Sequence, residues 1–313
     1  MADVAKRLQV LSPERRRLVE QLLKAKRDEG PAAASPPPRQ SDSALTLEYG
    51  RTTDESKQNF RRFYNEVSQQ LDASQFGPFA YFLNYGYVPI AGSSDDAVVQ
   101  LPEKYFNKNS VRLVLEVIGD CPIDQRRVLD VGCGRGGTVF TLRQFFQPSS
   151  VVGLDLSANA VQFCTRVHRY PHVSFREGDA EQLPFADAAF DVAINIESSH
   201  SYPNVRSFYM EVHRVLRPGG HFLYTDVLPR NKSDECVGLL EQLGFSVLRQ
   251  RDITANVLLS CDEIAASRVQ AFQGGNDATL VRNFLAAPGS QVYEEMRSRA
   301  WVYRLLTLQK PVA

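Results

Sequence analysis

The chain has no apolar run near the ~18 residues that a membrane-spanning helix needs. Its start, Met1 to Arg7, leads into charged residues and not into the apolar core of a signal peptide. Both absences predict a cytoplasmic protein that is not inserted in a membrane. Cysteine is scarce: the five, Cys121, Cys133, Cys164, Cys236 and Cys261, are odd in number and scattered, which fits reduced thiols and not a disulfide framework. Neither sign of charge is in excess, because 36 basic residues face 36 acidic ones, leaving no net field to recruit nucleic acid or an anionic membrane. No internal repeat is present. What remains is a chain of 313 residues, 43% hydrophobic, suited to one large α/β domain with an extension.

The stretch Val128-Leu129-Asp130-Val131-Gly132-Cys133-Gly134-Arg135-Gly136-Gly137 couples a buried-strand pattern to a glycine-dense turn that opens a helix. Such a turn lets a small polar ligand approach the main chain and the unpaired N–H groups of the helix. Gly132, Gly134 and Gly137 also satisfy the dinucleotide spacing, so the turn alone leaves a nicotinamide or flavin site open. A second strand, Val151 to Leu156, ends in Asp155, an acid suited to two ribose hydroxyls, which would serve either cofactor.

Ahead of this core, Ser12-Pro13-Glu14 reads as a helix start, with Leu11, Leu18, Leu22 and Leu23 on one face over residues 12–27. A tract rich in proline, alanine and serine follows, which reads as an extended linker. The predicted domains are therefore 1–45, amphipathic helix and linker, and 46–313, the catalytic domain. Within the latter, 46–120 is a helical cap, 121–254 the cofactor-binding core, 255–298 a helical lid and 299–313 the last strand. The cap is expected to hold two helical stretches broken at Gly77-Pro78, then the aromatic loop Phe82 to Tyr87, then a helix from about Lys104 to Ile118.

Further motifs follow in order: Glu177-Gly178-Asp179-Ala180-Glu181-Gln182-Leu183-Pro184-Phe185, the strand-like Phe190 to Asn195, and Arg214-Val215-Leu216-Arg217-Pro218-Gly219-Gly220. With the glycine turn and the Asp155 strand, they make residues 60–310 resemble the class I S-adenosylmethionine-dependent methyltransferases. The resemblance implies an α/β Rossmann-like fold, a seven-stranded, mostly parallel sheet with an antiparallel last strand, and a helical lid. It also implies S-adenosyl-L-methionine as cofactor. On this reading Gly132, Cys133, Gly134 and Gly136 form the cofactor turn, Asp130 faces the cofactor's amine, and Asp155 takes the ribose with Leu156 against the adenine. Asp179 and the Ala180 amide read the adenine edge, Asn195 sits at the crevice, and Tyr85 closes over the cofactor. A loop-stabilising role for Asp130, an Asx-turn at Asp179 and a core aromatic at Tyr85 remain open.

The segment Ile196-Glu197-Ser198-Ser199-His200-Ser201-Tyr202-Pro203 carries the catalytic expectation. An aliphatic hydroxyl needs a base as its proton leaves, and histidine matches neutral pH. Of the five histidines, His168 and His172 read as peripheral, His213 as helical and His221 as lying at a strand entry, so only His200 follows a strand end at the crevice. The segment resembles bacterial tailoring methyltransferases of lipids, polyketides, macrolides and microcystin-type metabolites, including those that O-methylate phthiocerol-type lipids. That resemblance implies His200 as catalytic base with Asp226 as its partner; the chain departs at Ser201, where relatives often have cysteine.

The expected reaction is O-methylation of a hydroxyl on a polyketide or peptide–polyketide metabolite, free or carrier-bound, with a megasynthase contact through the N-terminal helix. Carboxyl methylation, C-methylation and a non-methylating cyclase scaffold are the alternatives. Glu197 with His200, and Cys164 with His168, have spacings a metal would accept but lack further ligands, so no metal is expected.

Overall fold

Strand alternation builds the centre of the molecule. Val128, Val192, Ile194 and Leu223 pack into one hydrophobic cluster, while their neighbours Leu129, Ala193, Phe222 and Tyr224 pack into a second. A strand places successive side chains on opposite faces, so this division puts apolar side chains on both faces of one sheet. A computed structural model of the chain describes residues 52–74, 77–90, 101–102, 104–271 and 278–312. The expected helix over 12–27 and its linker lie outside them.

Seven strands, β1 (Arg127–Val131), β2 (Ser150–Asp155), β3 (Val173–Glu177), β4 (Phe190–Ile196), β5 (Leu216–Pro229), β6 (Ser246–Asp252) and β7 (Trp301–Gln309), form one sheet of order β3-β2-β1-β4-β5-β7-β6. The pairs from β3 through β5 are parallel. β7 runs antiparallel between β5 and β6, as the resemblance implied. The chain order reverses between β1 and β4, and in such a sheet the crevice beyond the strand ends at that point is where ligands bind.

Among the described residues nine α-helices accompany the sheet: α1 (Thr53–Ala73), α2 (Lys108–Ile118), α3 (Gly137–Phe145), α4 (Ala158–Val167), α5 (Val205–Val215), α6 (Arg230–Gln242), α7 (Thr254–Ala271), α8 (Ala278–Phe284) and α9 (Gln291–Arg297). α1 starts where Thr52 accepts the Glu55 N–H and where Asp54 and Glu55 meet the positive end of the helix. It buries Phe60, Phe63, Val67 and Leu71.

Two sequence expectations fail here. The second helical stretch after Gly77-Pro78 is only a 3₁₀ turn, Gly77–Phe79, followed by extended chain. The backbone there is used by the core instead, since the Gly77 and Ala80 carbonyls both accept from Arg135. The helix expected from Lys104 starts at Lys108, because Asn107 adopts the left-handed conformation and interrupts it.

Candidate active site

The Val128 to Val131 run is buried because β1 lies in the middle of the sheet, and this sets Gly132 to Gly137 at the crevice. The Gly132 and Cys133 amides donate to the Leu154 carbonyl, and the Gly134 amide donates to Asp155 Oδ2 at 2.7 Å. Asp155 Oδ1 accepts the Ser157 amide at 2.8 Å. Gly134 has φ +50°, and a Cβ there would meet only a Leu83 methyl at 3.6 Å, so this glycine leaves space in front of the main chain. At Gly136 a Cβ would strike the His168 ring at 2.6 Å, so this glycine serves packing beneath the turn.

His168 is accordingly not peripheral, as its sequence position suggested. It is buried, and its Nε2–H donates to the Arg135 carbonyl at 2.9 Å. Cys164 Sγ contacts the Gly134 carbonyl at 3.3 Å, so the spacing of Cys164 and His168 holds the turn from below.

α1 is fastened over this turn by residues that sequence reading missed. The Arg135 guanidinium, 1% exposed, donates to Ser68, Gly77, Ala80 and Asp72 and stacks on Phe163. Asn65 of α1 accepts from the Ser157 hydroxyl and the Asn159 amide. Lys57 reaches Asp179 and Glu181, both at 2.7 Å. Asp179 Oδ1 also accepts the Glu181 amide, so the Asx-turn alternative exists alongside the Lys57 ion pair. Among these, only Arg135 carried a sequence signal, as the charged residue within a glycine turn.

A cavity of about 630 Å³ joins these parts, within the ~300–1,000 Å³ usual for small-molecule sites. Of the expected cofactor residues it is bordered by Tyr85, Gly132, Cys133, Gly134, Asp155, Leu156, Asp179 and Ala180. Asp130, Asn195 and Gly136 do not border it; the first two are buried below its floor. The Asn195 amide nitrogen donates to the Val131 carbonyl and Ser198 Oγ, while its Oδ1 has no partner. Asp130 Oδ2 has none either, and burial, with Asp155 nearby, pushes the Asp130 carboxyl up to about 8.

His200 borders the same cavity, on a 3₁₀ turn Ser199–Ser201 that follows β4. Its Nδ1 lies 2.8 Å from Asp226 Oδ1. Asp226, 1% exposed, also accepts from the Ser199 hydroxyl, the His200 amide and the Val227 amide. Burial would lower the His200 pKa, but the charge and hydrogen bond of Asp226, with Glu197 behind them, raise it above the usual histidine value. Burial works against the Asp226 charge, yet His200 and Ser199 hold its carboxyl below the usual range.

The arrangement fits S-adenosylmethionine on structural grounds. Open backbone at Gly134 admits a ligand, and the Asp155 carboxylate keeps lone pairs beyond the two amides it accepts. Asp130, two residues before Gly132, keeps one buried carboxylate oxygen without a partner. Among the described residues no group of three or more His, Cys, Asp or Glu is arranged to hold a metal.

A family model described as a methyltransferase domain matches residues 129–224, which span the glycine turn through β5. The chain belongs to the class I S-adenosylmethionine-dependent methyltransferases, and S-adenosylmethionine is its cofactor. It is 36% identical, over 74% of its length and 83% of the relative's, to a fatty-acid O-methyltransferase of Mycolicibacterium smegmatis. With the phthiotriol/phenolphthiotriol dimycocerosates methyltransferase of Mycobacterium leprae it shares 32% identity over 81% of its own length and 93% of the relative's. Among solved structures, the [4+2]-cyclase SpnF superposes with a TM-score of 0.65 at 24% identity, covering 82% of this chain and 97% of the other, a likeness of fold.

Proposed function

We propose that this methyltransferase O-methylates a hydroxyl group of a lipid-like or polyketide metabolite, with His200 as general base and Asp226 as its orienting partner. The observation that carries the reading is that His200, held at Nδ1 by the buried Asp226, borders the same cavity as the glycine turn. S-adenosylmethionine, when bound, supplies a methyl group activated by its sulfonium. Asp226 accepts the Nδ1 proton, which leaves the Nε2 lone pair to receive the proton of a substrate hydroxyl as its oxygen takes the methyl. Phe60, Tyr64, Val67, Phe284, Val292 and Trp301 contribute apolar wall that suits an alkyl chain. Phe284 and Val292 come from α8 and α9, which we assign, with α7, to a substrate lid. A name such as phthiotriol dimycocerosates methyltransferase on a relative supports a hydroxylated lipid acceptor.

Carboxyl methylation is the second reading, favoured by the relative named a fatty-acid O-methyltransferase. A carboxylate is already a nucleophile, so His200 would then only position it. Incubation with cofactor and either hydroxylated lipids or fatty acids, followed by mass spectrometry and mild alkali, separates the two. An alkali-stable product heavier by one methyl supports the ether; an alkali-labile one supports the ester. Turnover without methyl gain would favour a cyclase scaffold and overturn both.

No helix among the described residues is long and apolar enough to cross a membrane. We assign the enzyme to the cytoplasm, where its cysteines, none of them in a disulfide, would stay reduced.

A further inference from the structure

Glu197 stands out at the junction between β4 and the turn that carries His200. It is not glycine, yet its φ is +50°, a conformation that persists only where surrounding contacts enforce it. Those contacts are on both sides. Its amide donates to the Thr225 carbonyl at 2.9 Å, fixing it to β5 next to Asp226. Its Oε1 accepts the Tyr85 amide at 2.7 Å and also the Tyr303 hydroxyl of β7. Tyr85 belongs to the loop that covers the glycine turn. Phe82 of that loop lies where a Gly137 Cβ would go, and a Leu83 methyl is the nearest atom that a Gly134 Cβ would meet.

We propose that Glu197 is a positioning residue that ties the loop over the cofactor turn to the turn bearing His200, so that cofactor enclosure and the setting of the base are one event. The pH-dependent part rests on the reading of His200 as base; the binding part does not. The ring of His200 has Asp226 of β5 and Glu197 as its acidic neighbours. Around the shared cavity stand Tyr64 of α1, Tyr85 of the loop, Asp155 of β2, Tyr202, and Lys232 and Cys236 of α6, with Tyr303 of β7 behind Glu197. Tyr64, Tyr85, Tyr202 and Tyr303 are pushed upward by burial and stay neutral at ordinary pH. A second negative charge beside His200 favours its protonated form, so removing that charge lowers its midpoint.

Three variants separate the two roles. In Glu197→Gln the side-chain oxygen still accepts both donors while the charge is gone. Cofactor affinity by calorimetry should stay within about twofold, while the His200 midpoint, read by NMR titration of labelled histidine and assigned by its loss in His200→Ala, should fall. In Glu197→Ala the midpoint should fall too, and cofactor affinity should drop by about tenfold, the scale of one lost hydrogen bond to a charged group. The milder Tyr303→Phe keeps the charge, so the midpoint should hold while affinity falls by about twofold to fivefold. A folded Glu197→Ala with wild-type cofactor affinity overturns the proposal, as does an unmoved His200 midpoint in Glu197→Gln. A flat wild-type rate profile with a shifted midpoint in Glu197→Gln would instead remove His200 as base and leave the tie intact.

Discussion

Asp226 grips His200 at two points: Oδ1 lies 2.8 Å from the ring Nδ1 and Oδ2 takes the backbone amide at 2.9 Å. A ring whose Nδ1 donates to Asp226, on a main chain held by the same carboxylate, has one orientation and the tautomer with its lone pair on Nε2. His200→Ala should lower kcat by about 10²- to 10⁴-fold with cofactor affinity retained. Asp226→Asn should cost less, since a hydrogen bond can remain. The wild-type rate should rise with pH as His200 loses its proton, through a midpoint above the ordinary ~6.5 because its pKa is raised. Single-turnover methylation across pH checks all three, and a flat profile with a near-normal His200→Ala rate would remove the base.

Asp130 is expected to link cofactor binding to proton release. Burial, with Asp155 nearby, pushes its carboxyl up to about 8, which favours the protonated form in the free protein. A cofactor ammonium that reaches Asp130 through a bridging water favours its ionised form, so binding should release a proton and affinity should rise with pH below about 8. Calorimetry in two buffers of different ionisation enthalpy reads this directly, and Asp130→Asn should abolish it. The stability sign is opposite. With the folded value above the unfolded ~3.9, the contribution is full below that pH and is lost as pH rises through about 8. Thermal unfolding of wild type and Asp130→Asn over that window measures the difference.

Two glycines of one turn should fail in different ways. Gly134→Val places its side chain in the open space before the main chain, so cofactor binding should be lost with melting temperature reduced only by the strain of φ +50°. Gly136→Ala drives a methyl into the His168 ring and should lower melting temperature more than Gly134→Val does. Calorimetry beside thermal denaturation distinguishes the two, and equal melting temperatures would contradict the assignment.

Arg135 should be a stability residue. Truncation to alanine strands the Ser68, Gly77 and Ala80 carbonyls and removes the stack on Phe163. The expected cost is about 3 kcal/mol, mostly from the buried carbonyls left without a donor, because Asp72 stays partly solvated. Denaturant unfolding gives the number, and limited proteolysis should cut first near α1. Arg135→Lys should recover little, because one ammonium cannot replace the planar fork.

Several features were legible because they are local. The glycine turn, the alternation of β1 and β4, and an acid at the end of β2 are each written within ten residues, and each is where the sequence places it. His200 was named from its position just beyond β4 and Asp226 from the family resemblance, and the parallel pairing Asn195↔Tyr224 and Ile196↔Thr225 brings them together. Parallel register turns equal positions along neighbouring strands into neighbours in space, which is why that juxtaposition was readable. Asp130 and Asn195 were recognised as special, but not that they would lie beneath the cavity.

By itself the sequence determined the parallel core strands, the glycine turn and the base candidate, because periodicity, glycine conformation and strand-end position act over short stretches of chain; the antiparallel last strand came from the family resemblance. Tertiary structure alone decided what holds α1 over the cofactor turn. Lys57 is 122 residues from Asp179, Arg135 is 67 from Ser68, and Glu197 is 112 from Tyr85. No local pattern encodes such partners: a lysine or glutamate reads the same in sequence whether it is solvated or paired, and only packing α1 and the aromatic loop onto the crevice selects between the two. The same reason explains His168, whose place at a helix end suggested the surface until folding put the glycine turn on top of it.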